Sequence, residues 1–187
     1  PASQAGNRAG PFNSRSVDDL TVPLAPMPIS SRQADKYHLS LAGEFFVAAE
    51  LQRRGIAAAV TYGNAKKADV VAFSGGSFAV AIEVKSTSSP RWVVGGVLPQ
   101  PSIAPWVFVH IPSISAEPPS FFVFSQLQLH ELLSPRDTAY RRAFLAKHGE
   151  EYGDRRGVVN LSLTEAQPFR NQWRTIIDLL QGVSVRS

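Results

Sequence analysis

The feature that most constrains the fold is a strictly alternating stretch near the middle of the chain, Phe78–Lys85. Successive side chains of a β-strand point to opposite faces, so this stretch predicts a strand with two different faces. One face carries only large apolar residues and must be covered by the protein core: Phe78, Val80, Ile82 and Val84. The other begins with small residues and ends with a carboxylate and an ammonium group: Ala79, Ala81, Glu83 and Lys85. The small residues leave room for another group to approach the charged end.

The segments around this strand predict a layered domain. Ala68–Phe73 is also rich in β-forming residues, and the intervening Ser74–Ser77 is a tight-turn signal, so the two strands are expected to form a hairpin. Upstream, Leu39–Arg54 lacks Pro and is rich in Ala, Leu, Phe and Glu, which predicts a helix. Further strands are predicted at Ile56–Tyr62, Trp106–Ile111, Phe121–Phe124 and Val158–Leu161, and further helices at Ser125–Leu133, Asp137–His148 and Arg170–Gln181. We therefore expect an α/β (α+β) fold with a mixed central sheet flanked by helices.

Residues 1–36 differ in composition from the rest of the chain. Prolines recur there among Ser, Gly, Asn and Arg residues, without sustained hydrophobic periodicity. Such a segment buries too little apolar surface to offset the entropy of ordering it. The sequence therefore predicts a flexible Pro/Ser-rich N-terminal segment over 1–36 and a single domain over 37–187.

The composition excludes several classes of chemistry. The chain has no cysteine, which rules out disulfides, zinc–thiolate sites and thiol catalysis. It lacks a phosphate loop of the GxxxxGK[ST] type, so we expect no nucleotide cofactor. No apolar run is long enough to cross a bilayer, and we expect a cytoplasmic location without a membrane partner. The net charge of +4, from 19 basic and 15 acidic side chains, is compatible with nucleic-acid binding.

Asp69 stands at the start of the strand that precedes the alternating stretch, so the hairpin brings it to the end where Glu83 lies. Its partner depends on the hairpin loop. A two-residue turn sets Asp69 opposite Ile82 on the core face, whereas a three-residue loop or a glycine bulge sets it opposite Glu83. The sequence leaves both registers open. In the second register the two carboxylates repel each other, and a hard divalent cation such as Mg²⁺ relieves that repulsion.

Glu44 is a third acidic residue in an unusual position. Its helical neighbours at the spacings of one and two turns are all apolar: Leu41, Val47, Ala48 and Leu51. This pattern sets Glu44 on or beside the helix stripe that faces the sheet. A carboxylate there is unfavourable unless it is paired or linked to a metal. Glu50 is the contrast, because Arg53 and Arg54 follow it at helical spacing and predict an exposed, locally paired residue.

Three short segments together resemble the PD-(D/E)xK nuclease superfamily: Gly43-Glu44 on a first helix, Ala68-Asp69 on one strand and Glu83-Val84-Lys85 on the next. That superfamily has the restriction-endonuclease-like fold, which archaeal Holliday-junction resolvases share. The continuation Lys85-Ser86-Thr87 is similar to resolvase-like members, whereas Ala68 stands where the motif name has Pro. The resemblance covers roughly residues 38–90.

The resemblance implies a Mg²⁺-dependent endonuclease that hydrolyses DNA phosphodiesters with a metal-activated water, Mn²⁺ being able to substitute. It assigns Glu44, Asp69 and Glu83 to catalysis and, together with the Val84 carbonyl, to the metal. It assigns Lys85 to the attacking water or the scissile phosphate. DNA is then the expected partner, and the resolvase-like relatives imply a homodimer.

Basic and hydroxyl side chains that flank the motif are expected to contact nucleic-acid phosphates: Lys66, Lys67, Ser86, Thr87 and Arg91. Trp106 is interpreted as a core residue, and Arg141-Arg142 and Arg155-Arg156 as helix or loop surface. Two other functions stay open at this point. One is a module of nuclease fold that binds nucleic acid or protein without cutting, and the other is an α/β enzyme of small-molecule chemistry in which the motif is coincidental.

Overall fold

A computed structural model describes residues 31–62, 68–75, 78–113, 117–155 and 157–182. The strands are β1 (Ala57–Val60), β2 (Val70–Phe73), β3 (Ala79–Thr87), β4 (Arg91–Gly95), β5 (Pro105–His110), β6 (Ser120–Ser125) and β7 (Val159–Ser162). The helices are α1 (Ser31–Arg53), α2 (Gln126–His148), α3 (Leu163–Ala166) and α4 (Arg174–Leu180), with a 3₁₀ turn at Gln167–Phe169. Among the described helices, none combines the length and the apolar character that crossing a membrane requires.

Five strands form a central sheet in the order β1-β2-β3-β5-β6. β3 and β5 run parallel, and the other neighbours in this sheet run antiparallel. β4 and β7 form a separate antiparallel pair. The fold is therefore mixed α/β with a mixed central sheet flanked by helices, which confirms the predicted fold class.

Each face of the central sheet carries its own hydrophobic cluster. Helices α1 and α4 pack on one face, where the buried residues include Val47, Leu51, Ile82, Val84 and Ile176. On the other face, β4 and α2 cover β5 and β6, and the buried residues include Trp92, Phe108, Phe122, Phe124 and Leu129. Strand alternation divides the side chains between the two clusters, as in β5, where Val107 and Val109 join the first and Phe108 joins the second.

Among the residues that the structure describes, the second face is covered over β5 and β6 but is open over β1–β3. The residues that point to this side of the first three strands are exposed and mostly small: Ala57, Ala59, Phe73, Ala79 and Ala81. The small residues Ala79 and Ala81 therefore face solvent. On the opposite face Ile82 and Val84 are buried as predicted, but the prediction that Phe78 is core is wrong, because Phe78 precedes β3 and is 64% exposed. This open surface leads along β3 directly to Glu83 and Lys85.

Several element boundaries differ from those predicted. α1 begins at Ser31 rather than Leu39, and the division of the chain at residue 36 stays a prediction. The two helices predicted from Ser125 to His148 are one helix with Pro135 inside it, because an interior proline removes one hydrogen bond without ending the helix here. A capping box formed by Ser125 and Gln128 starts that helix. β4 was not predicted, and α4 is shorter than the predicted Arg170–Gln181.

Candidate active site

Glu83 and Lys85 lie on the face of β3 that is turned away from α1. Ile82 and Val84 are buried in the cluster on the α1 side, so alternation sends the two charged side chains to the opposite face. The Lys85 ammonium donates to Glu83 Oε1 at 2.5 Å and lies 5.4 Å from the centroid of the Trp106 ring. The side chains of Glu83 and Lys85 are 34% and 31% exposed. An ion pair this exposed contributes about 0–1 kcal/mol, so a metal ion or a phosphate can replace either partner at little cost.

The pairing of β2 with β3 selects one of the two registers that the sequence leaves open. Val70 pairs with Ile82, and the Ser74 N–H donates to the Phe78 carbonyl at 3.1 Å. Three residues therefore separate the two ends of the hairpin. Continuing this register sets Asp69 opposite Glu83, as the three-residue loop predicts.

The ladder changes at Asp69 itself. The Asp69 N–H donates to the Ile82 carbonyl at 3.0 Å, although Ile82 already pairs with Val70, so two successive residues meet one residue of β3 as in a β-bulge. The Val84 N–H lies beyond the last β2–β3 pair and donates to Asp69 Oδ2 at 2.8 Å. The buried Asp69 carboxylate thus accepts a hydrogen bond from the Val84 N–H, a main-chain donor that pairs with no residue of β2.

This hydrogen bond holds the Asp69 carboxylate beside the Glu83 main chain. Val84 N is two covalent bonds from Glu83 Cα, so Asp69 Oδ2 lies within about 6 Å of that Cα atom. The Glu83 carboxylate starts from the same Cα. The hairpin therefore brings Asp69, Glu83 and Lys85 together at one end of β3.

Glu44 reaches the same end of β3 from the α1 side. It is 5% exposed and lies on the buried stripe of α1 with Val47 and Leu51, as the apolar spacing predicts. The preceding residue, Gly43, lies against Ser86, since a Cβ atom built on Gly43 would be 1.7 Å from Ser86 Oγ. Glu44 therefore lies near the level of Ser86 along β3, whereas Glu83 and Lys85 project from the other face.

The donor set can be compared with the preferences of Mg²⁺. Within the ranges that the structure describes, no three His, Asp or Glu side chains form a group that could hold a metal ion. Mg²⁺ does not require one, because it is commonly bound by one or two carboxylates completed by water and substrate phosphate oxygens. Asp69 and Glu83 supply two carboxylates and Val84 supplies a main-chain carbonyl, all of them hard oxygen donors. The residues present fit Mg²⁺ chemically, with phosphate and water as the further ligands.

The predicted nucleic-acid contacts are distributed unevenly. Thr87 Oγ1 shares a hydrogen bond with Ser89 Oγ at 2.9 Å, and Arg91 is exposed at the start of β4. Ser86 Oγ is buried against α1 and has no hydrogen-bond partner among the described residues, so its position favours packing between α1 and β3. Lys66 and Lys67 lie outside the described residues.

Two features of the site are missing from the sequence interpretation. Trp106 packs against the second hydrophobic cluster, as its interpretation as core implies, but it is only partly buried and also presents its ring to the Lys85 ammonium. Arg141 and Arg155, interpreted as surface, line a cavity together with Arg91. The pairing of β3 with β5 explains the first, because Glu83 aligns with Trp106. A sequence signal for the second is the i,i+4 spacing of Arg136 with Tyr140 and of Asp137 with Arg141, which sets the members of each pair one turn apart on α2.

Comparison with known proteins identifies no family. No family model matches the chain, and no curated protein matches it. Among solved structures, the chain is similar to a bacterial homing endonuclease, I-Ssp6803I, at 14% sequence identity and a TM-score of 0.44, over 78% of this chain and 91% of that chain. A similarity this low assigns neither a family nor an activity to the chain.

Proposed function

We propose that the chain is a Mg²⁺-dependent endonuclease that hydrolyses phosphodiester bonds of DNA. The observation that carries the proposal is the hydrogen bond from the Val84 N–H to Asp69 Oδ2, which holds the Asp69 carboxylate beside the main chain of Glu83, the residue that pairs with Lys85. A buried carboxylate, Asp69, beside the partly exposed Glu83 and Lys85 suits a reaction in which negative charge increases on a phosphoryl group. The motif itself is that of the nuclease superfamily which the sequence resembles.

The first task of the site is to bind the metal. We assign Asp69, Glu83 and the Val84 carbonyl as its ligands, and Mn²⁺ is expected to substitute for Mg²⁺. When bound, the metal lowers the pKa of a coordinated water and neutralises phosphate charge. The Val84 N–H holds Asp69 in place, which reduces the reorganisation that metal binding requires. Glu44 belongs to the same set by its resemblance to the family, and its contribution is tested separately because it approaches from the α1 side.

The second task falls to Lys85. Its ammonium is held by Glu83 and the Trp106 ring and remains partly exposed. A phosphate that exchanges for Glu83 at the ammonium receives a charge-assisted hydrogen bond, which strengthens as charge accumulates on the pentacoordinate phosphorus. The open alanine-lined surface of β1–β3 lets a bulky polymer approach this group.

Cleavage of plasmid, linear and branched DNA in Mg²⁺ or Mn²⁺ tests the proposal. Asp69→Asn, Glu83→Gln and Lys85→Met are expected to lower the rate at least about a hundredfold, the scale on which electrostatic and proton-transfer groups act. Glu131→Gln and Lys147→Met are matched controls, because both residues are exposed on α2. Cleavage that persists in the three site variants would remove these residues from the mechanism. A Glu44→Gln variant measures the contribution from the α1 side.

A second candidate function is a module of the same fold that binds DNA without cutting it. The observation that favours it is the Glu83–Lys85 ion pair, which occupies one carboxylate, together with the lack of a three-residue metal group within the described residues. Binding of DNA by the wild type without cleavage under either metal ion would support this alternative. Absence of both binding and cleavage would instead favour small-molecule chemistry.

A further inference from the structure

A second site is formed by a cavity of 710 Å³ between α2 and the β4–β7 pair, on the same side of the central sheet as Lys85. We call it the arginine cavity. Its lining is rich in guanidinium groups and phenol rings: Arg91, Arg136, Arg141, Arg155, Tyr140 and Tyr152. Two carboxylates, Asp137 and Glu165, also line it, so the lining carries more positive than negative charge.

Neighbouring groups hold three of these guanidinium groups in place. Arg136 donates to Glu165 Oε1 at 2.7 Å and to the Asn160 carbonyl. Arg141 donates to Asp137 Oδ2 at 2.8 Å. A guanidinium has five N–H donors, so each of these two arginines keeps donors for a further acceptor after its protein contacts are made.

Arg155 is held in a similar way, by Glu150 Oε1 at 2.7 Å and by the Glu151 carbonyl at 2.8 Å. Arg91 differs from the other three. Within the described part of the chain its guanidinium has no hydrogen-bond or ion-pair partner, although it lines the same cavity. Arg91 is therefore the cation of the lining with the most capacity to bind an external anion.

The rings provide a second type of contact. Tyr140 is 55% exposed, and its ring lies 5.3 Å from that of Tyr152 in an edge-to-face arrangement. The Arg141 guanidinium lies over the Tyr152 ring at 5.2 Å. Aromatic rings beside arginines are the combination by which proteins bind a nucleobase and its phosphate together.

We propose that the arginine cavity binds a nucleotide unit, with the phosphate at Arg91 and the base against Tyr140. The nucleotide unit can be part of a bound DNA strand, and this version of the proposal rests on the proposed function. The Thr87 hydroxyl donates to the Arg91 carbonyl at 3.2 Å, so the main chain of Arg91 lies within roughly 15 Å of that of Lys85, about the span of four stacked nucleotides. The unit can also be a free nucleotide.

The test measures binding by fluorescence anisotropy in EDTA, so that cleavage does not interfere. The probes are a short labelled DNA duplex, a labelled single strand, and a fluorescently labelled deoxynucleoside monophosphate. The variants are Arg91→Ala and Tyr140→Ala. Arg174→Ala is the matched control, because it removes one exposed arginine from α4 on the other face of the sheet.

For DNA as the source, Arg91→Ala should weaken binding about threefold to tenfold and reduce the salt slope by about one, whereas Arg174→Ala should leave both unchanged. For a free nucleotide, the monophosphate should bind the wild type, lose affinity in Arg91→Ala and leave DNA binding unaffected. The proposal is overturned when Arg91→Ala binds all three probes with the same affinity as Arg174→Ala and the wild type. This binding test does not depend on cleavage. If the protein cleaves no DNA but its binding of DNA or nucleotide depends on Arg91, the proposed function is refuted and the present proposal is not.

Discussion

Gly43 is the residue whose substitution tests the packing of the site most sharply. It lies where α1 crosses β3, and a Cβ atom there would be 1.7 Å from Ser86 Oγ and 2.9 Å from Ser86 Cβ. Rotation of the hydroxyl relieves the first contact, but the second involves an atom attached to the backbone. Gly43→Ala therefore has to move α1 away from β3, and overpacking of this kind costs about 1–3 kcal/mol.

An opposing effect makes the sign of the result informative. Alanine is favoured over glycine inside a helix by about 1 kcal/mol, so on helix propensity alone Gly43→Ala would stabilise the protein. Since the clash exceeds this gain, we expect a net decrease of about 1–2 kcal/mol in the free energy of unfolding. The shift of α1 also moves Glu44, so cleavage should decline along with stability.

A double-mutant cycle with Ser86→Gly isolates the contact. Ser86→Gly removes both clashing atoms, after which the nearest side-chain atom is Val109 Cβ at 3.7 Å, an ordinary contact distance. In that background Gly43→Ala should stabilise the protein by up to about 1 kcal/mol, which gives a coupling energy of about 2 kcal/mol. Urea unfolding of the four proteins measures it. A coupling energy near zero, or a stabilising Gly43→Ala in the wild type, would refute the close approach of α1 to β3.

Two further substitutions test local features. The hydrogen bond from Arg53, opposed by partial burial and aided by Arg54, lowers the pKa of Glu50 from 4.5 to about 2. The ionised carboxylate therefore stabilises the fold above the unfolded pKa, and this contribution is lost as the pH falls towards 2. Glu50→Gln should lower the free energy of unfolding by about 1 kcal/mol at neutral pH, a small loss because the ion pairs of Glu50 are partly exposed. Near pH 2 the same substitution should change the free energy of unfolding by almost nothing. Equal losses at both pH values would contradict the assignment. Pro135→Ala should raise the free energy of unfolding by about 1–2 kcal/mol and increase the helical circular dichroism signal, because it restores a hydrogen bond within α2; an unchanged unfolding midpoint would count against a continuous α2.

The elements that were predicted from the sequence are those whose signals are local. The alternation of Phe78–Lys85 predicts β3 and its charged face, and the apolar neighbours of Glu44 predict its burial. Phe78, which the same alternation sets in the core, is instead exposed. The sequence interpretation groups Glu44 with Asp69 and Glu83, whereas in the structure Glu44 lies on the side of β3 that α1 covers and Glu83 projects from the other face. The register of Asp69 depends on the hairpin loop, which the sequence leaves open between two lengths.

The elements that were missed depend on contacts between distant segments. Trp106 meets Lys85 only because β5 pairs with β3 in parallel. The arginine cavity joins residues of β4, α2 and the segment before β7, so no single stretch of sequence shows it. The single helix α2 is predicted as two, Ser125–Leu133 and Asp137–His148, whereas in the structure the helix continues through Pro135 between them.

The central claim is that Asp69 and Glu83 form one divalent-metal site, and a calorimetric titration with Mn²⁺ tests it most directly. Asp69→Asn is a suitable variant because its amide oxygen can still accept the Val84 N–H and preserve the bulge. The account predicts that the wild type and the exposed control Glu131→Gln bind the metal alike, and that Asp69→Asn and Glu83→Gln each abolish the binding isotherm. Isotherms for both site variants that match the wild type, or a wild type that binds no metal with or without DNA, would contradict it.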